Sequence, residues 1–284
     1  MQFHDMKEID LKLTLLSGSE IELGNLKIAP YTLREVKNYG YTNYMKNLQW
    51  ISLSIDDFMG SVLDENKRKI LEINRESLKA FDFYIKLGGK EMQDKLVEVL
   101  KMIFKNDDLR VLDNGIIAID FVKLGIIIED DDGNVIEIKD DKLSELDEDK
   151  IKIIHRDNFD DIVKIVRLQN YLEQPEETVE EEEPADEEAR KLLEYMKEMR
   201  KKVEEKKRQQ SEDGEEANID IADIVSAVSS KSNSVNKLNI WDFTIYQIYD
   251  EYARLELIDD YDFGIRAMMA GAKEVDLKHW SSKL

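Results

Sequence analysis

The sequence predicts an α+β fold that is predominantly helical. It reads as an N-terminal lobe of β-hairpins plus helices, an acidic linker with an amphipathic helix, and a small C-terminal helical module. Three observations carry this. Apolar and polar residues alternate on both sides of small-residue turns, near the N-terminus and again around Asn114-Gly115. Apolar residues recur at helical spacing through most of the rest. At Gln174 the composition breaks into "QPEETVEEEEPADEEA", nearly pure acid with two prolines. Such a run cannot bury surface, and its like charges extend it. The expected divisions are a lobe at 1–172, a linker at 173–189, a charged amphipathic helix at 190–217 and an aromatic-rich module at 218–284.

In chain order, "IDLKLTLLSGSEIELGNLKIAP" alternates around Ser17-Gly18-Ser19 and reads as a hairpin. Thr32 with Glu35 three residues on is a capping box opening a helix that Gly40 stops. The next helix sets Tyr41, Tyr44, Met45, Leu48 and Ile51 on one stripe. A third helical stretch is expected from beyond Asp64 to Gly88 and Gly89, and a fourth along Met92, Leu96, Val99 and Ile103. Asn114-Gly115 marks a tight hairpin, because both residues tolerate positive φ. "GIIIEDDDGNVIEIKD" reads as a second hairpin, and Asn158 opens a helix with Phe159, Ile162, Val163, Val166 and Leu172 inward. Beyond the linker, Leu192, Met196, Met199 and Val203 stripe a charged helix, and "IDIADIVSAVSS" is a short one. Asp242 or Thr244 then caps a helix through Ile245, Ile248, Tyr249, Tyr252 and Leu255. A second helix through Tyr261, Ile265, Met268 and Met269 is expected to stop at Gly271.

Composition excludes several functions. The 284 residues carry a formal net charge of −22, so nucleic-acid phosphates and anionic membranes are repelled, and neither is expected as a partner. There is no cysteine, hence no disulfide, thiolate catalysis or Cys-ligated zinc. The N-terminus lacks the apolar core of a signal peptide, and no apolar run is long enough for a membrane span. A soluble protein that stays where it is made is the expectation.

Catalytic constellations are sparse. His4, His155 and His279 are dispersed and fit surface or capping roles. Gly88-Gly89 lacks the Lys-Ser/Thr of a phosphate loop. In "EDDDGN", taking Gly133 as the sixth position of a calcium loop puts Ile128 first and Lys139 twelfth, and both are wrong for ligation. Glu137-Ile138-Lys139 follows an acidic cluster in the manner of a Mg²⁺-dependent nuclease, in which carboxylates hold the metal. Alternating charge on the wet face of a strand explains the same residues. No catalytic, cofactor or metal site is therefore expected.

The candidate site is a partner-binding one. Leu192, Met196, Met199 and Val203 form a narrow seam suited to a partner helix, and methionine adapts to irregular surfaces. In the closing module, residues 239–280 hold more aromatics than so short a segment can bury alone. The surplus, Trp241, Phe243, Tyr246 and Trp280, is expected to dock on the other lobe, on another copy or on a client.

Three segments carry a family likeness. "KIAPYTLREVKNYGYTNYMKNLQWI", "NFDDIVKIVRLQNYL" and "LNIWDFTIYQIYDEYARLELIDDYDFGIRAMMAGAKEVDLKHW" together resemble the tail assembly chaperones of tailed bacteriophages that infect Gram-positive hosts. The shared features are the Pro-Tyr-Thr-Leu helix start followed by Gly-Tyr, the mid-chain helix before a charged linker, and the Thr-x-Tyr-Gln, Ala-Gly-Ala and late Trp of the end. The resemblance implies a non-enzymatic protein of the bacterial host cytoplasm. It would bind the aggregation-prone tape measure protein during tail assembly and be absent from the finished virion. Tail tube protein and further copies of the chain would be additional partners, and no cofactor is implied. Such proteins are often made in short and frameshift-extended forms, and a boundary near residue 175 would suit that. A structural tail or baseplate adaptor and the nuclease stay as alternatives.

Overall fold

The computed structural model describes residues 1–61, 69, 71–112, 115–120, 152–173, 219–272, 275 and 277–283, and the backbone of 127–129 and 135–137. The described residues are predominantly helical with small antiparallel sheets, the α+β class expected. The chain divides into two compact units. One is Met1–Gln174 with Trp241–Asp250, and the other is Pro175–Ile240 with Glu251–Leu284.

The first unit opens with a correction. The stretch expected as a β-strand is helix α1, Glu8–Ser17. Glu8 and Asp10 lie in its first turn, where the helix dipole favours acids, and Glu8 pairs with Lys12 one turn on at 2.7 Å. Gly18 does not turn a hairpin. At φ +68° it ends α1, with its N–H donating to Leu15 O and that of Ser19 to Thr14 O, a Schellman stop. The alternation misled because Leu16 breaks it. Ile9, Leu13 and Leu16 then share one helical face, and that face is exposed.

The hairpin comes after. Strands β1 (Ile21–Leu23) and β2 (Leu26–Ile28) pair antiparallel across Gly24-Asn25. Gly24 takes φ +56° at the first loop position, as tight two-residue loops require. The capping box at Thr32 is present and starts α2, Leu33–Tyr39, and Gly40 links it to α3, Tyr41–Ile51. On α3, Tyr44, Leu48 and Ile51 are buried, and so is Asn47, which donates to Tyr39 Oη at 2.8 Å. Tyr41, expected inward, is exposed.

Helix α4, Ile55–Ser61, precedes the third helical stretch, which is not continuous. Residues 75–77 form a 3₁₀ turn, Leu78 and Lys79 are extended, and a new start follows at Ala80–Asp82, running into the π-helical Phe83–Leu87. The Lys79 N–H donates to the Asp82 carboxylate at 3.0 Å, so a local cap competes with the helix. From Phe81 to Ile85 every residue is buried. Tyr84 is the hub of this core. Its ring lies 4.7 Å from Trp50, 4.9 Å from Phe58 and 5.7 Å from Phe159, and its hydroxyl donates to Trp50 O. Burial holds the Tyr84 phenol well above its ordinary pKa.

Helix α5, Gly89–Phe104, buries Leu96, Val99 and Ile103 as its periodicity predicts. Strands β3 (Leu109–Val111) and β4 (Ile117–Ile119) pair antiparallel, and β7 (Ile153–Ile154) adds to β4. The hairpin β5 (Ile127–Glu129) and β6 (Val135–Glu137) lies between them in sequence, as read. Helix α6, Phe159–Gln169, buries Phe159, Ile162 and Val166 as expected, and also Ile165 and Leu168. Leu172 is exposed instead, because the helix has already ended. Tyr171 turns the chain at φ +59°, its N–H donating to Leu168 O and that of Leu172 to Arg167 O. This is the same stop as at Gly18, made here by a residue that has a side chain.

The expected linker and the helix at 190–217 lie outside the described residues apart from Glu173, which pairs with Arg167 at 3.3 Å. In the second unit, α7 (Ile221–Lys231) is capped by Asp220, whose carboxylate accepts the N–H groups of Ala222 and Asp223. The two closing helices expected from sequence are one, α8, Ile245–Met269. Its start and stop are as read. Thr244 and Gln247 exchange cap hydrogen bonds, and Gly271 at φ +96° completes a Schellman stop with Ala272 N–H donating to Ala267 O. Nothing between breaks the helix, since Gly264 alone costs it only about 1 kcal/mol.

Candidate functional site

The residues expected to bind partners divide into three groups. The seam of Leu192, Met196, Met199 and Val203 lies outside the described residues. Trp241, Phe243 and Tyr246 fall in Trp241–Asp250, which clusters with the first unit, and Trp280 belongs to the second.

The segment Trp241–Asp250 is held by side chains and main chain from three places. Leu33 N–H donates to Phe243 O at 2.8 Å, beside an antiparallel bridge between Thr32 and Thr244. Arg34 reaches Asp242 Oδ1 through Nε at 3.2 Å and Nη2 at 2.9 Å. Gln247 Nε2 donates to Leu16 O at 2.8 Å, next to Gly18, where an added Cβ would meet Gln247 at 3.2 Å and Thr244 at 3.3 Å. Ile245, Tyr246 and Ile248 are buried. The left-handed turn at Tyr171 aims its ring at this segment, stacked on Tyr249 at 5.2 Å and tilted against Tyr246 at 5.4 Å. Burial, with Asp250 nearby, pushes the Tyr246 hydroxyl up to about 12, so it stays a neutral donor at any physiological pH. The Tyr246 ring is thus taken up by its own chain, while Trp241 and Phe243 are half-buried. Sequence alone marked these aromatics as surplus to a local core. It gave no signal of Tyr171, whose role comes from its backbone conformation.

The second unit is sparsely cored. Among the described residues Ile224, Val228, Val235 and Ile240 are buried, while Ile219, Leu238, Phe263, Met268, Met269 and Trp280 are exposed. Phe263 is 75% and Met269 85% accessible. Val275 and Leu277 lie over Gly264 of α8, where a Cβ would meet Leu277 at 2.6 Å. Arg254 donates to the carbonyls of Trp280 and Ser282, each at 2.8 Å, and Tyr261 meets the edge of His279. These ties hold the Trp280 backbone and leave the residue 47% accessible.

The three histidines have local partners. His155 Nδ1 accepts from Asp157 N–H, His4 lies 3.5 Å from Asp161, and His279 Nδ1 is 2.7 Å from Ser281 Oγ. Among the described residues no group of His, Asp and Glu is placed to hold a metal ion. Glu137 contributes its backbone to β6, and Lys139 lies outside the described residues. A cleft of about 450 Å³ in the first unit, lined by Ile51, Leu53, Leu78, Asp160 and Val163 among others, escaped the sequence reading. Burial raises the Asp160 carboxyl above its usual range. Two of the cations at the cleft are already engaged, Lys79 with Asp157 and Arg167 with Glu173. No helix of the described residues is long and apolar enough to cross a membrane.

Comparison with known proteins bears on the C-terminal part. No curated protein and no solved structure matches the chain. Residues 206–284 match the family model of the YomV second domain. That family is phage-derived, and the match points to a phage protein.

Proposed function

We propose that the chain is a tail assembly chaperone, a non-catalytic protein that binds the phage tape measure protein and keeps it soluble in the host cytoplasm while the tail is built. One observation carries the reading. Among the described residues of the second unit, all of them within the stretch that matches a phage-derived family, six large apolar side chains are exposed and four apolar ones are buried. Single exposed apolar residues are ordinary, but a surplus of this kind in so small a unit is the mark of a partner surface. Phe263, Met268, Met269 and Trp280 supply the adaptable methionine and aromatic contacts that suit an amphipathic helical client. The net charge of −22 keeps a loaded complex apart from its neighbours. In the sequence, Leu192, Met196, Met199 and Val203 add apolar residues at helical spacing that suit the same client.

The test is co-expression with tape measure protein, scored by the soluble fraction of the client. Wild type raises that fraction, and Phe263→Glu with Trp280→Glu lowers it, as does Met196→Glu with Met199→Glu, because charge is driven into an apolar contact. A client equally soluble with and without the chain overturns the proposal. Recovery of the chain from purified particles favours the structural adaptor instead.

A further inference from the structure

We propose that Trp241–Asp250 is an exchangeable clip, so that the groove it fills in the first unit also accepts the same segment of a second copy of the chain. This goes beyond the chaperone reading and stands without it. The segment joins a short extended start to the first turns of α8. It offers one main-chain hydrogen bond at Leu33, a bridge at Thr32, a side-chain bond to Leu16 O, and the buried side chains of Ile245, Tyr246 and Ile248. Strand-like pairing plus side-chain pockets is a recurring mode of peptide recognition.

The groove is also prepared for it. Tyr171 holds a left-handed backbone that costs a residue with a side chain about 1 kcal/mol or more, and what that conformation secures is the stack on Tyr249 and Tyr246. In sequence the clip is far from everything it touches, with residues 175–240 between it and the rest of its unit. Docking within one chain competes with docking between chains through its effective concentration, which a dense local assembly can rival. Groove and clip are present on every copy, so exchange is reciprocal and closes as a twofold pair.

The absence of cysteine makes the test direct. Thr32 and Thr244 are bridge partners, which puts their Cα atoms within disulfide range. Two full-length proteins are made, one Thr32→Cys and the other Thr244→Cys. They are mixed, partly opened in urea, returned to buffer at high concentration and oxidised. Neither can close a bond between these positions within itself, so a 32-to-244 disulfide forms only when the clip of one chain enters the groove of the other. The expected result is a mixed covalent dimer, identified by peptide mapping and at least about tenfold more abundant than the disulfide dimer of either protein alone. The double variant Thr32→Cys/Thr244→Cys, oxidised when dilute, reports whether the geometry permits the bond. If that variant closes internally and the mixture gives no mixed dimer above the single proteins, the exchange is refuted. If the double variant stays open, the docking of the clip itself is wrong and the proposal falls with it.

Discussion

Asp82→Asn removes the charge that ties the restart of the third helical stretch to the turn before α6. The Asp82 side chain is only 8% exposed and accepts from Arg156 Nε at 2.7 Å, Lys79 N–H at 3.0 Å and Lys86 Nζ at 3.3 Å. Arg156 also donates to Ser77 O. Burial alone would raise the Asp82 pKa, but the hydrogen bonds from Arg156, Lys79 and Lys86 outweigh it and hold the carboxyl below the usual range. A buried hydrogen bond to a charged group contributes about 1.5–3 kcal/mol. Arg156 and Lys86 are 37% and 66% exposed, so water replaces part of what each loses. The expected loss is therefore about 2–3 kcal/mol at pH 7, short of the full penalty for a completely buried pair. Because the folded pKa is depressed, this stability is present above the unfolded value of about 3.9 and is lost as pH falls through the folded value. Urea unfolding followed by tryptophan fluorescence reports it, since Trp50 packs against Tyr84 in the same core. The gap between wild type and variant should be full at pH 7 and shrink as pH is lowered below about 3.9. A loss under about 1 kcal/mol at pH 7, or a gap that does not shrink with falling pH, refutes the reasoning.

Tyr44→Phe leaves buried Asn170 Oδ1 without the hydroxyl that donates to it at 2.8 Å, and urea unfolding should show a loss of about 1–3 kcal/mol. Gly18→Ala forces a side chain into φ +68° against Thr244 and Gln247, so the melting temperature should fall by roughly 2–8 °C. Gly264→Val collides with Leu277 and Val275 and should open Lys278 to trypsin, whereas Gly264→Ala needs only the tip of Leu277 to move and should leave Lys278 protected.

What the sequence reveals is mostly what short-range chemistry decides. The capping box at Thr32, the stop at Gly271 and the inward stripe of α5 each depend on residues within four positions, so pattern and structure agree there. Helix α1 departs from its pattern for the same reason. A period-two pattern and a glycine mean strand and turn only if a partner strand exists, and the glycine was a helix stop. The interruption at residues 74–79 joins a local cap, Lys79 N–H on Asp82, to Arg156 far along the chain, and only the first of these lies within reach of a local pattern. The candidate site was half legible. Excess aromatics in residues 239–280 raise the expectation of a docking surface. That Tyr246 would face Tyr171 depends on a single left-handed residue, which composition does not encode.

The clip also sets a timetable for synthesis. Leu16 and Arg34 leave the ribosome early, yet their partners Gln247 and Asp242 lie 231 and 208 residues downstream. At about 5–20 residues per second, the ribosome adds the stretch from Gln174 to Asp250 in roughly 4–15 s. Through that interval the nascent first unit carries an open groove where Ile245, Tyr246 and Ile248 will sit. Its last contacts are of the long-range kind that form slowly. Chains truncated before residue 241 cannot close the groove from within, and such products should be the first that cellular proteases remove.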